Sequence, residues 1–138
     1  MWPAGFTSAP PDVRRRRAAA LLAAALALHD LEEALGFPLT RAKVVALWPA
    51  TPAPAAFWMA LAAVTALGLL AALWAGSGPA SGAKVATLRT IAWVLLVNIL
   101  VPHVPAALVL GGYAPGVVTA VAVNLPVCVL ALRLLRGV

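Results

Sequence analysis

Apolar residues fall into four runs separated by short polar or glycine-rich stretches. The first, Ala18 to Leu28, follows four consecutive arginines, Arg14 to Arg17. The second extends from about Ala53 to Ala75, with Thr65 as its notable polar residue. Gly76 to Gly82 (GSGPASG) reads as a turn. A third run covers about Val85 to Leu110 and a fourth about Pro115 to Leu135, divided by Gly111-Gly112-Tyr113-Ala114. At ~1.5 Å per residue, roughly 20 helical residues cross a hydrocarbon core, and runs two to four meet that length. The first run is shorter. Only its extension through His29, Asp30, Glu32 and Glu33 to Gly36, just before Phe37-Pro38, makes a helix able to span.

The pattern predicts an all-α protein, a four-helix transmembrane bundle with helices at about 16–36, 53–75, 85–110 and 115–135. Residues 1–13 are proline-rich and aperiodic, and read as a disordered lead to a single domain at 14–138. Thr40 to Trp48 reads as a short interfacial helix with Thr40 as its N-cap. A secretory signal peptide is the competing reading of the first run, given its basic start and Ala25-Leu26-Ala27.

Composition removes the soluble alternatives. The chain is 64% hydrophobic and 10% charged, with four acidic residues. Soluble domains run at about half apolar and about a quarter charged. A net charge of +6 would suggest nucleic acid in a soluble protein. Here the basic residues sit in clusters between apolar runs, as membrane orientation requires. With both termini cytoplasmic, that side holds Arg14 to Arg17, Lys84, Arg89, Arg133 and Arg136, against Arg41 and Lys43 outside. That imbalance fits a bacterial-type inner or plasma membrane. The single cysteine, Cys128, excludes an internal disulfide and reads as a core residue. No internal repeat marks an inverted-topology transporter.

The remaining signal is where polar groups sit. His29, Glu32 and Glu33 are spaced i, i+3 and i+4, within about 100° of one helical face. The third run carries Asn98 and His103, and the fourth Asn124. Counted from the nearest arginine at the cytoplasmic end, His29 lies ~18 Å in, Asn98 ~14 Å, His103 ~21 Å and Asn124 ~18 Å. Runs one, three and four therefore bring polar groups to one level, and run two brings none. An acidic residue near the bilayer centre costs ~2.5–3.5 kcal/mol on insertion scales, so these groups must face the bundle. Asn98 and His103 would splay on a straight helix, being ~140° apart, unless Pro102 bends it. Pro126 similarly frees the carbonyl of Ala122, near Asn124. Asp30 points away from His29 and reads as a rim or pairing residue.

His29-Asp30-Leu31-Glu32-Glu33, followed by Asn98, His103, Tyr113-x-Pro115-Gly116 and Asn124, resembles the HXXEE-domain membrane proteins. The resemblance spans most of the chain and implies a small helical membrane protein. It implies no particular reaction.

Function is therefore read from the residues. Two histidines and a carboxylate are a known catalytic zinc set, and a second carboxylate can act as general base. His29 and His103, with Glu32 and Glu33 dividing those two roles, supply that inventory for one divalent ion: zinc, manganese or iron. Asn98 joins the catalytic group and, with Asn124 and Tyr113, forms the expected substrate contacts. The favoured expectation is a membrane-embedded metalloenzyme acting on a lipophilic small molecule, without a nucleotide cofactor. Metal-free acid–base isomerisation or cyclisation by the same Glu and His residues is the alternative. A proton- or cation-coupled carrier, working as a homo-oligomer, is the third. The expected partners are the bilayer, the lipophilic molecule and further copies of the chain, and no nucleic acid.

Overall fold

The computed structural model describes residues 9–51 and 53–138. They form four helices and, among the described residues, no strand: α1 (Pro11–Leu47), α2 (Pro54–Gly76), α3 (Gly82–Val109) and α4 (Val117–Leu134). The expected all-α, four-helix architecture is the observed one. α2, α3 and α4 are long and apolar enough to cross a membrane, with mean hydropathies of 2.1, 2.0 and 2.1 over their most apolar stretches. α1 is more polar and serves as the hub, touching each of the other three helices.

α1 runs further at both ends than its apolar run suggests. It starts at Pro11, so residues 11–13 of the expected lead are helical, while residues 1–8 of that lead lie outside the described residues. Pro11 in the first turn has its φ preset for a helix, and Asp12 complements the N-terminal dipole. At the other end the helix passes through Gly36-Phe37-Pro38, where a stop was expected, and continues to Leu47. Thr40 caps no new helix. Its hydroxyl bonds back within α1 to the Gly36 and Phe37 carbonyls, 3.2 and 3.4 Å away. Phe37 stacks on Phe57 at 3.8 Å and meets Trp58 edge-on, so contact with α2 carries the helix past its proline.

The base of the bundle, where the basic clusters meet, is closely packed. Ala18, Leu22, Leu88, Ala92, Cys128 and Leu134 form its buried core. Arg15, fully buried, donates to the carbonyls of Ala75, Ser77 and Gly78 and pairs with Asp12 at 3.4 Å. Arg14 donates to Arg136 and Gly137 carbonyls, and Arg89 to that of Leu135. The last carbonyls of a helix have no partner within it. These arginines close the C-terminal ends of α2 and α4, a role that orientation counting alone does not suggest.

Packing loosens toward the far end. The buried residues of α2 are Ala72 and Ala75, both near the base. Between them and the Phe37–Phe57–Trp58 contact, α1, α2 and α3 leave a cleft of about 280 Å³. At the same level α3 kinks and α4 widens. Two helical segments of α3 meet across Ile99–His103, where Val101 is extended (φ −146°, ψ 114°), and Ala120–Asn124 form a π-type turn. Each lies against a proline, Pro102 or Pro126, that lacks the N–H for the carbonyl four residues back.

Candidate functional site

The kink in α3 solves a spacing problem. On a regular helix Asn98 and His103 diverge, whereas the break at the extended Val101 turns His103 back toward Asn98. The Asn98 amide nitrogen is 3.0 Å from His103 Nε2 and 3.0 Å from His29 Nε2 on α1. Glu33 Oε1 lies 3.2 Å from His103 Nε2 and 3.6 Å from His29 Nε2. The imidazoles are 1% and 3% exposed, and Glu33 is mostly buried. His29, Glu33, His103 and Asn98 thus form one cluster, as the depth estimates require.

For rings in the neutral form, hydrogen counting fixes the tautomer of each. His103 Nδ1 is 2.8 Å from the Pro115 carbonyl, which only accepts, so Nδ1 carries the hydrogen. Thr119 Oγ1 donates to Glu32 Oε2 at 2.6 Å, because a carboxylate also only accepts. The remaining contact, His29 Nδ1 to Thr119 Oγ1 at 3.1 Å, is then a donation from the ring. Both Nε2 atoms consequently present lone pairs toward the same point. With Glu33 Oε1 they make three acceptors facing one another, bridged by the Asn98 amide alone. The ligand atoms of His29, Glu33 and His103 lie within 4.8 Å of one another. Such a set can hold a cation, or share a proton between Glu33 and an imidazole.

Glu32 is held elsewhere. Its carboxylate accepts from the backbone N–H groups of Val118 and Thr119, at 3.2 and 2.6 Å, and from the Thr119 hydroxyl. It occupies the N-terminal end of α4, where unpaired N–H groups and the helix dipole favour an anion. Of the two glutamates, Glu33 faces both imidazoles, and Glu32 reaches His29 through Thr119. Two adjacent residues on one helical face have different neighbours once α4 arrives between them. Tyr113 hydrogen-bonds Glu32 from the loop before α4; burial, then the neighbouring carboxylate, holds its phenol above the ordinary tyrosine range. Asn124 is fully buried, and both polar atoms of its amide lack a partner among the described residues.

Three contributors escaped the sequence reading of the site. Thr119 links Glu32 to His29, an arrangement that a lone threonine in an apolar run does not announce. Gly116, at φ +81°, forms the floor: a Cβ there would lie 2.6 Å from His103 Cε1, 2.8 Å from His29 Cε1 and 2.9 Å from Glu33 Cγ. Thr65 reaches Asp30 at 2.5 Å, so α2 does bring a polar group to this level, contrary to expectation. Asp30 is buried on the flank of α1 that faces the cleft, which His29, Glu33 and Asn98 also line. Gly36, expected as a helix stop, instead makes room, since a Cβ would overlap the Tyr113 hydroxyl.

No curated protein and no solved structure matches the chain. The family described as "protein of unknown function with HXXEE motif" matches residues 20–131, which include every element of the cluster. The chain, whose motif is His29-Asp30-Leu31-Glu32-Glu33, belongs to the HXXEE family.

Proposed function

We propose that this chain is a membrane-embedded enzyme that binds one divalent metal ion through His29, His103 and Glu33 and acts on a lipophilic small molecule. The observation that carries this reading is the convergence of two imidazole lone pairs and a carboxylate oxygen, all acceptors, on one buried point. Acceptors crowded in a low dielectric repel unless a cation joins them. Zinc, manganese and iron all accept imidazole and carboxylate ligands.

The surroundings fit a ligand site. Metal-binding histidines donate their other ring hydrogen to a carbonyl or a polar partner, which orients the ring and raises its basicity. His103 has the Pro115 carbonyl for this, and His29 has Thr119 backed by Glu32. Glu32 and Thr119 are positioning residues here, and Glu33 is the carboxylate ligand. Asn98, whose amide nitrogen reaches both Nε2 atoms, would release them to the ion. A bound divalent ion supplies Lewis acidity to a substrate oxygen or water. The cleft between α1, α2 and α3 admits the substrate sideways from the bilayer. Eight basic residues at or next to the base orient that end to the cytoplasm, α1 included among four crossings of a bacterial-type inner or plasma membrane.

Elemental analysis of the detergent-purified full chain tests this. One equivalent of zinc, manganese or iron is expected, and its loss in His29→Ala, His103→Ala and Glu33→Gln. Protein that carries no metal and takes up none on addition of these ions contradicts the proposal. Metal-free acid–base chemistry is then the reading left, favoured by the 3.2 Å approach of Glu33 Oε1 to His103 Nε2, a distance that a shared proton accounts for.

A further inference from the structure

Asp30 is used by nothing above, and its setting calls for a partner. It is 7% exposed, and its Oδ2 accepts from Thr65. Among the described residues no lysine or arginine pairs with it, and Oδ1 has no hydrogen-bond partner. An ionised carboxylate in this position costs several kcal/mol, relieved by protonation or by a cation or donors that join it. Asp30 lines two cavities, the 280 Å³ cleft shared with His29, Glu33 and Asn98, and an outer groove of about 540 Å³ shared with Trp58 and Thr65. Phe57 lines the first, and Phe57, Trp58 and Phe37 pack together at the far end of both.

We infer that the Asp30 carboxylate binds the ammonium group of an amphiphilic amine, whose hydrocarbon chain lies along the outer groove and projects into the bilayer. This rests on the enzymatic reading above and names the substrate class for that same cleft. Charge selects the headgroup. Asp30 is the carboxylate of the cleft that the metal site does not use, and among the described residues no lysine or arginine lines it. A buried, unpaired carboxylate in an apolar cleft is the chemistry that recognises an ammonium ion, through a charge-assisted hydrogen bond. The Asp30 charge disfavours a phosphate beside it, and so a simple amine is favoured over a zwitterionic phospholipid headgroup. Size agrees: 280 Å³ holds a headgroup and the first few carbons but no whole lipid, and the rest of the cleft wall is apolar, formed by Leu26, Leu61, Val64 and Leu95. The open outer groove takes the tail.

Dodecylammonium is the probe, titrated into the full chain in phosphatidylcholine nanodiscs, with protein-free nanodiscs subtracted. Saturable binding of dodecylammonium at least ten-fold tighter than dodecanol is expected. Asp30→Asn should weaken it at least ten-fold while leaving any bound metal in place. His103→Ala should remove the metal and leave amine binding within about three-fold, so the two proposals fail separately. If Asp30→Asn does not fold, Leu61→Trp decides, since it fills the cleft without altering charge and should abolish binding. Equal affinity for dodecanol, preference for lyso-phosphatidylethanolamine, or indifference to both Asp30→Asn and Leu61→Trp overturns the inference.

Discussion

The imidazole rings of His29 and His103 meet edge to face, with centroids 4.6 Å apart and planes at 87°. One comes from the middle of α1 and the other from the kink in α3, so neither helix positions the pair alone. Beneath both lies the backbone of Gly116, which tolerates no Cβ. Gly116→Ala is therefore expected to push the rings apart and strain a left-handed residue, costing about 1–3 kcal/mol. Thermal unfolding in detergent should show the loss, and metal should leave with it. Gly82→Ala, at a position with open space around it, should stay within about 0.5 kcal/mol of the wild type.

The two glutamates should part company in mutants. Glu33→Gln removes an acceptor from the cluster and should abolish metal binding with little change in folding. Glu32→Gln leaves the cluster intact but weakens the anion at the start of α4, at a cost of about 1–2 kcal/mol. Paired metal and unfolding measurements on both variants check this. Glu32→Gln emptying the site as completely as Glu33→Gln does would overturn the division of roles.

Thr119→Val tests the second layer. It removes the acceptor that holds His29 Nδ1–H and should lower metal affinity about 10–100-fold. Competition against a calibrated chelator reads that ratio directly. Thr119→Ser, which restores the hydroxyl, should recover most of it.

Much of this was legible in the sequence. Runs two to four became α2, α3 and α4 because twenty-odd apolar residues leave a chain in a bilayer few other choices. Pro102 pointed to the bend that brings Asn98 and His103 together. The assignment of Glu32 was not legible, since residues i+3 and i+4 from His29 share a face until the first turn of α4 separates them. Gly36 looked like helix punctuation because its tertiary neighbour, Tyr113, is invisible in a linear pattern, and Thr40 because a threonine that bonds back within its own helix reads the same as a cap. Thr119 and Gly116 act through distant neighbours, and no spacing rule reaches them.

Arg15 should prove the most structural of the arginine cluster. Arg15→Ala strands the buried carbonyl of Ala75 at the end of α2 and leaves those of Ser77 and Gly78 to Lys84 and solvent, with an expected loss of about 1–3 kcal/mol. Arg16→Ala, at an exposed position, should change stability by about 0.5 kcal/mol or less. Thermal or denaturant unfolding of the two variants side by side checks the contrast.

Tyr113 is the single tyrosine, so phenolate absorbance reports it without overlap. It should ionise above the ordinary value of about 10. Glu32→Gln removes the neighbouring negative charge and should bring the transition down. The sign for folding follows: the neutral phenol is favoured in the folded chain, so stability is full below the ordinary tyrosine pKa and falls as pH rises through the raised one. A transition that Glu32→Gln leaves unmoved would contradict the contact.

The central claim is that two imidazoles and one carboxylate hold a divalent ion inside the bundle. X-ray absorption fine structure of the zinc-loaded full chain in detergent measures that ligand set most directly. Two imidazole nitrogens and a carboxylate oxygen are expected at about 2.0–2.2 Å from the zinc. A shell of oxygens alone, or protein that retains no zinc after desalting, would contradict it.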